Sequence, residues 1–217
     1  VYPIPDNFLL SVVVPVFNEA RTVREIVQRV KAVPVPTEII LVDDGSTDGT
    51  REALRELESE PQVNVLLHET NQGKGAAIRT GFNHAKGDVV VIQDADLEYD
   101  PDEFPLLLLP ILENQAEVVY GSRFSSNHRR VPKYWHSTIN RLITLLSNMS
   151  TNLKLTDVET CYKLIRRDVL DRIRERLKEN RFGIEIEITA KLAKLKDVRF
   201  YEVPISYNPR TTDEGKK

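Results

Sequence analysis

Apolar residues along this chain come in short runs that alternate with amphipathic stretches. The run 9–16 is apolar and β-branched, the mark of a buried parallel strand, and Pro15 is expected to end it. Asn18 reads as the N-cap of a helix over 19–33, with Val23, Ile26, Val27 and Val30 on one face and Pro34 and Pro36 stopping it. The pattern then predicts a strand over 38–42, a turn-rich loop over 43–50 that opens another helix, a strand over 63–67, a loop over 71–75, a helix over 76–86 and a strand over 88–93. Strand and helix alternating at this rhythm predict a parallel sheet with right-handed crossovers.

After Pro101 the pattern changes. It predicts a helix over 102–114, a strand over 117–120, a mobile polar and basic loop over 125–133, and a helix over 137–153. That last helix carries Ile139, Leu142, Ile143, Leu146, Met149 and Leu153 on one face, which is expected to pack on the core; the sharper reading is an acceptor groove or membrane-facing surface. Helices over 167–178 and 184–196 and a strand ending near Val203 close the chain. No repeat or linker divides it, so the expectation is a single α/β domain over 1–217 with a mostly parallel central sheet flanked by helices.

The most informative stretch is the end of the fourth strand, where Val89-Val90-Val91-Ile92 runs into Gln93-Asp94-Ala95-Asp96. Residues two apart in a strand point the same way, so Asp94 and Asp96 converge just past its end. Two close carboxylates repel unless a proton or cation lies between them, and a hard divalent ion, Mg²⁺ or Mn²⁺, suits oxygen ligands best. Asp94, Asp96, Glu98 and Asp100 also mimic calcium-loop spacing, but Tyr99 stands where such a loop needs glycine and Pro105 where it needs a bidentate Glu. In parallel α/β sheets ligands bind at the carboxyl ends of the strands. Three loops fall there, 15–19, 43–46 and 94–96, and carboxylates rather than glycines dominate them. A fourth loop, Asn71-Gln72-Gly73-Lys74-Gly75, is not a P-loop, and no GxGxxG follows the first strand. Ribose hydroxyls and a metal-chelated diphosphate are natural partners of such loops.

Charge sharpens this picture. The net charge of −3 gives no reason to expect a nucleic-acid partner, yet the charges are segregated. The stretch 94–103 holds six acidic residues and no basic one, whereas 118–156 has no acidic residue and carries Arg123, Arg129, Arg130, Lys133, Arg141 and Lys154. An acidic cluster followed by a cationic segment suggests two anionic partners, one bridged by metal. The single cysteine, Cys161, reads as a small buried hydrophobe in a reducing compartment. No secretion signal or membrane-spanning run is apparent, and the expected location is cytoplasmic, with peripheral contact at the cytoplasmic membrane face.

In order along the chain, Val12-Val13-Val14-Pro15-Val16-Phe17-Asn18-Glu19, Val42-Asp43-Asp44-Gly45-Ser46-Thr47-Asp48-Gly49-Thr50, Asn71-Gln72-Gly73-Lys74-Gly75, Asp94-Ala95-Asp96, Gly121-Ser122-Arg123-Phe124 and Thr156-Asp157-Val158-Glu159-Thr160-Cys161-Tyr162-Lys163 resemble a family 2 glycosyltransferase of the GT-A, Rossmann-like fold. The likeness is greatest to the dolichyl- and polyprenyl-phosphate sugar synthases. It implies a nucleotide-sugar-binding half over 1–100 and an acceptor-binding half over 101–217. By this resemblance Pro15, Phe17, Glu19 and Asp44 hold base and ribose, with Lys74, Ala95, Lys163 and Arg210 also at the nucleotide sugar. Asp94 and Asp96 hold Mg²⁺ or Mn²⁺, with Glu98 as a third ligand, while Arg123 and Arg141 meet the acceptor phosphate. Residues 210–217 resemble a mobile loop that folds over the diphosphate, and Lys163, Arg210 or Lys216 would add positive charge there.

The implied reaction moves a hexose from a UDP- or GDP-sugar to a polyprenyl or dolichyl phosphate with inversion. A phosphate nucleophile is already an anion near neutral pH and needs positioning rather than a base. A hydroxyl acceptor on a glycan or small molecule would need a carboxylate base, for which Asp157 and Glu159 are the candidates. A nucleotidyltransferase would also use paired aspartates on an αβα sheet, but with a basic, glycine-rich loop where Phe17-Asn18-Glu19 stands.

Overall fold

The computed structural model describes residues 4–125 and 134–210. Along the chain it places β1 (Leu10–Val16), α1 (Val23–Ala32), β2 (Thr37–Asp43), α2 (Thr50–Leu57), β3 (Val63–Leu67), α3 (Lys74–His84), β4 (Val89–Ile92), α4 (Phe104–Leu112), β5 (Val118–Ser122), α5 (Tyr134–Thr151), β6 (Lys163–Arg166), α6 (Arg167–Asp171), α7 (Ile184–Leu192) and β7 (Phe200–Pro204). The strands form one seven-stranded sheet in the order β3-β2-β1-β4-β6-β5-β7. The predicted mostly parallel α/β sheet is therefore present. The first four strands are parallel, and β7 runs parallel to β5.

The exception is β6, which no sequence pattern announced. It lies antiparallel between β4 and β5. Four residues, Lys-Leu-Ile-Arg, are too few to show a period of two. Because β6 runs backwards, the segment that leads into it reaches the same sheet edge as the carboxyl ends of β4 and β5. Pro15 does not end β1 as expected. The strand continues to Val16 because β4 pairs only with Leu10 to Val13, so the missing N–H of Pro15 lies beyond that ladder.

Helix boundaries also shift. Asn18 is not the N-cap of α1; its backbone is left-handed (φ 54°), and α1 begins only at Val23, with Val23, Ile26, Val27 and Val30 buried as the pattern predicts. The stretch predicted as one helix over 167–178 is α6 followed by a short 3₁₀ turn at Arg174–Arg176. The helix α3 lies against β1 so closely that a Cβ on Gly81 would come 2.3 Å from Val13 Cγ1. Both residues are in the core, so Gly81→Ala is expected to destabilise the fold by roughly 1–3 kcal/mol through overpacking. Urea unfolding at constant m-value would measure it, and a loss below about 0.5 kcal/mol would mean the helix shifts freely.

The helix α5 corrects the expectation of core packing. Its apolar side faces outward: Ile139, Leu142, Leu145, Leu146 and Met149 are all more than half exposed. Its buried side is polar, with Thr144 and Ser147 at 5% and 6% exposure. Thr144 Oγ1 accepts from the Val158 N–H at 3.3 Å, and Asn148 makes reciprocal bonds to the Leu155 backbone at 2.8 and 3.0 Å. Of the residues expected to be buried on this face, Leu153 is packed against the core and Ile143 is half-buried.

Candidate active site

The site is built where the carboxyl ends of β1, β2 and β4 meet the segment entering β6. The first two loops are tied together: Asn18 N donates to Ser46 Oγ at 2.8 Å, and Thr47 N to Asn18 Oδ1 at 2.8 Å. Asp44 is buried, and its carboxylate accepts from Gln72 N (2.9 Å) and Gly73 N (2.7 Å) and faces His68 Nδ1 at 2.8 Å. It therefore shapes the loop 71–75 that presents Lys74. Pro15 is the last but one residue of β1, and Phe17 follows the strand with its side chain partly exposed.

Gln93 sets the turn after β4. It is fully buried, accepts from Tyr162 OH at 2.7 Å and donates to the Asp94 carbonyl at 3.0 Å. Ala95 is buried beneath, and Leu97 takes a left-handed conformation (φ 64°). A branched side chain rarely adopts that region, and such strain concentrates at functional turns. Asp94 Oδ1 meets Lys74 Nζ at 2.8 Å, and Lys74 also meets Glu185 Oε1 at 2.9 Å. Burial alone would lower the Lys74 pKa, but the charges of Asp94 and Glu185 outweigh it and hold the ammonium well above the usual lysine range. Asp96 is pushed up to about 7, first by burial and then by the charges of Asp94 and Glu98. The arrangement is thus two carboxylates crowded at a sheet edge, one neutralised by lysine and one short of positive charge.

Arg210 and Glu98 close one side. Arg210 pairs with both oxygens of Glu19 (2.8 and 3.0 Å) and lies 3.6 Å from Asp96 Oδ2. Glu98 accepts from Tyr207 OH at 2.5 Å and from the Arg210 N–H at 2.8 Å. On the opposite side Arg123 is clamped by Asp157, with Nε to Oδ2 at 2.7 Å and Nη2 to Oδ1 at 2.8 Å. The Arg123 guanidinium also lies over the Tyr207 ring, 5.2 Å from its centroid. Between these groups opens a cleft of about 230 Å³ whose lining includes Lys74, Asp94, Glu98, Arg123, Glu159 and Glu185.

Of the predicted site residues, Lys74, Asp94, Glu98 and Arg123 line the cleft; Asp96, Arg210 and Glu19 adjoin it through Glu98, and Pro15, Phe17, Asp44 and Ala95 do not line it. Lys163 is fully buried; its ammonium bonds to the carbonyls of Val158 (3.0 Å) and Thr160 and stacks on Tyr120, and burial lowers its pKa to about 8. It does not line the cleft. Arg141 is exposed on α5 and does not line the cleft, although its neighbour Asn140 does. Asp157 has both oxygens committed to Arg123, so of the two candidate bases only Glu159 faces the cleft. Cys161 is buried, as its reading predicts. The predicted loop residues 126–133, with Arg129, Arg130 and Lys133, and the tail 211–217, with Lys216, lie outside the described residues.

Five lining residues were not among the predicted site residues: Tyr99, Asn140, Phe182, Glu185 and Tyr207. Glu185 sits in the first turn of α7, where an acidic residue reads simply as a partner of the helix dipole. Nothing in the spacing reveals that it meets Lys74. The contact arises because the loop before α7 is pressed onto loop 71–75, with Ala76 N donating to Asn180 O at 3.1 Å and no room for a Cβ on Gly73 or Gly75. Among the described residues no group of three His, Cys, Asp or Glu is arranged to hold a metal. The donor set nonetheless fits a hard cation at Asp94 and Asp96, since both are oxygen ligands crowded by like charge. Glu98 would have to give up Tyr207 or Arg210 to join them.

The model of the family described as Glycosyl transferase family 2 matches residues 11–174. An undecaprenyl-phosphate 4-deoxy-4-formamido-L-arabinose transferase of Pseudomonas fluorescens is 35% identical over 176 residues, covering 78% of this chain and 50% of the relative. One from Yersinia enterocolitica is 31% identical over 168 residues, covering 75% and 50%. The chain spans about half the length of these curated relatives. Among solved structures, glucosyl-3-phosphoglycerate synthase of Mycobacterium tuberculosis with Mn²⁺, UDP and phosphoglyceric acid superposes with a TM-score of 0.72 at 22% identity, covering 96% of this chain and 73% of that one. The same enzyme with Mg²⁺ and UDP gives 0.71 at 21% identity, covering 96% and 74%. At such identity the likeness is one of fold, and it agrees with the GT-A class read from the sequence.

Proposed function

The chain belongs to glycosyl transferase family 2, and from that premise we propose that it transfers a hexose, with inversion, from a UDP- or GDP-sugar to a polyprenyl phosphate in contact with a membrane face. The observation that carries the reading is one cleft lined by Asp94, paired with Lys74, and by Arg123, held by Asp157, with Asp96 two residues beyond Asp94 and 3.6 Å from Arg210. Pro15, Phe17, Glu19 and Asp44 form the wall for base and ribose. Asp94 and Asp96 would hold Mg²⁺ or Mn²⁺, with Glu98 within reach; that ion supplies Lewis-acid neutralisation of the departing diphosphate. The solved relatives with Mn²⁺ or Mg²⁺ and UDP, and the undecaprenyl-phosphate transferases, support donor and acceptor class.

The chain's own residues do the rest. As the bond from C1 to the diphosphate oxygen breaks, charge builds on that oxygen, and Lys74 and Arg210 are the fixed cations nearest the acidic pair. A phosphate oxygen of the acceptor attacks C1 from the opposite face of the sugar. Arg123 positions it by charge-assisted hydrogen bonds, and Asp157 keeps that guanidinium in one orientation. With Asp157 committed to Arg123, the site has an anchor for an anion where a hydroxyl acceptor would want a free base. Glu159 favours a second reading, a hydroxyl acceptor, because it faces the cleft and burial raises its pKa.

The test is a panel of UDP- and GDP-sugars with Mn²⁺ or Mg²⁺, each with and without a short polyprenyl phosphate. Metal-dependent transfer to the lipid phosphate is expected. Donor hydrolysis without lipid transfer, lost in Glu159→Gln, would move the acceptor to a hydroxyl, and no nucleotide-sugar binding would sink the proposal. Glu185 adds a sharper expectation. Its Oε2 is buried at the cleft and has no hydrogen-bond partner among the described residues, a cost a native site relieves by accepting from a ligand. Glu185→Gln is expected to lower kcat/KM for the nucleotide sugar roughly 10- to 100-fold, while the affinity for the free nucleoside diphosphate stays within about twofold. Equal loss of both would make Glu185 a support for Lys74 alone.

A further inference from the structure

We infer that the outward face of α5 is a docking surface for an anionic lipid bilayer, which seats the cleft at the membrane. The inference deepens the membrane contact of the proposed function and rests on that reading for its biological sense. The observation is an amphipathic helix set inside out. Over the 18 residues of α5, Trp135, Ile139, Leu142, Leu146 and Met149 follow one another in steps of four and three, so they form one stripe, widened by Leu145. Every one of them is more than half exposed, Met149 at 75%. The opposite face, against α7 and the segment before β6, buries Thr144 and Ser147 and holds Asn148 half-buried instead.

Packing did not force this choice, because the same helix rotated half a turn would bury six large apolar side chains. A helix that spends its hydroxyls and amide inward and leaves its apolar stripe outward is matched to an apolar medium outside. Single exposed leucines are ordinary, but a continuous stripe of this length marks an interaction site.

Charge selects the partner. The stripe contains no charged residue, and the whole segment 118–156 has no acidic one. Arg141 flanks the stripe on α5, Lys154 follows the helix exposed, and Arg129, Arg130 and Lys133 precede it in the sequence. An apolar stripe within a segment whose only charged residues are cations is complementary to acyl chains beneath anionic headgroups. It is poorly suited to a second copy of itself, since two such faces would bring the cations together. The helix lies in the interface rather than crossing it: among the described residues no helix is long and apolar enough to span a bilayer. Asn140, two positions before Leu142, lines the cleft, so a helix lying in the headgroup layer holds the cleft mouth beside the surface.

The chain carries its own reporter, because its only tryptophan, Trp135, is on the stripe and 72% exposed. The 217-residue chain would be mixed with vesicles of pure phosphatidylcholine or of phosphatidylcholine with phosphatidylglycerol. Partitioning would be read by flotation, and insertion by the blue shift of Trp135 emission and its quenching by brominated acyl chains. Binding is expected to require phosphatidylglycerol, to weaken with added salt, and to fall at least about tenfold in Leu142→Glu/Leu146→Glu. Both positions are on the surface, so the variant should keep the wild-type circular dichroism and nucleoside-diphosphate affinity. Those two readings separate failure of the docking surface from failure of the donor site. No partitioning by the wild type, or equal partitioning by the variant, would overturn the inference. A concentration-dependent dimer that the double substitution dissociates, without vesicle binding, would overturn it in favour of a second copy.

Discussion

Replacing Asp96 by alanine is expected to lower sugar transfer by about 10³-fold or more while leaving Tm unchanged or slightly raised. The first half follows from the charge that must be neutralised on the departing diphosphate. Lewis-acid stabilisation contributes several kcal/mol to such a step, and each 1.36 kcal/mol is a factor of ten. The second half follows from the surroundings of Asp96. It is crowded by Asp94 and Glu98, and its nearest cation, Arg210 at 3.6 Å, is already paired to Glu19. Removing the carboxylate relieves repulsion and breaks one local bond, from the Glu98 N–H at 3.1 Å. Parallel transfer assays and thermal melts check both halves. A variant that lost activity only because it unfolded would show a lower Tm, and one with residual transfer above a few per cent would place the metal elsewhere.

Arg123→Met is expected to cost roughly 3–5 kcal/mol of stability, the largest effect of any single change at the cleft. Asp157 is fully buried, and without the guanidinium it would be an uncompensated charge in the protein interior. The double variant Arg123→Met/Asp157→Leu should recover most of that loss, because replacing a buried pair by apolar residues is often neutral. It should not recover transfer to a lipid phosphate, since the phosphate anchor is gone. Urea unfolding of the two single variants and the double would complete the cycle. A cost below about 1 kcal/mol for Arg123→Met would mean that Asp157 finds water or another donor. Transfer restored in the double variant would remove Arg123 from the acceptor site.

The parts of this molecule that were legible in sequence are those set by local pattern. The runs 10–16, 37–43, 63–67 and 89–92 are apolar over enough residues to be strands, and the turn chemistry after each marks the sheet edge at which open α/β folds bind ligands. Asp94 and Asp96 were legible as a carboxylate pair just past an apolar run, but β4 ends at Ile92, so the turn around Gln93 and Leu97, rather than strand alternation, sets where they lie. What stayed hidden depends on contacts between distant segments. The strand β6 is too short to show a period, and its direction is decided by its neighbours. Glu185 meets Lys74 only because loops 73–75 and 178–183 press together. Lys163 follows the motif but is turned inward to cap two carbonyls, a choice no spacing encodes. For α5 the stripe was visible and its orientation was not, since periodicity says that a helix has two faces and not which one meets the core.

The antiparallel placement of β6 also governs the order in which the chain can be completed as it leaves the ribosome. Once residue 92 has emerged, β3, β2, β1 and β4 can pair, because their ladders lie within the first half of the chain. The free side of β4 then has no partner until Lys163–Arg166 is made, some seventy residues later. During that interval Val89-Val90-Val91-Ile92, wholly buried in the finished molecule, is an open apolar edge able to template pairing with another nascent chain. The strand that leads into Asp94 and Asp96 is therefore the one most in need of shelter during synthesis, and its cover arrives joined to the segment that carries Asp157 and Glu159.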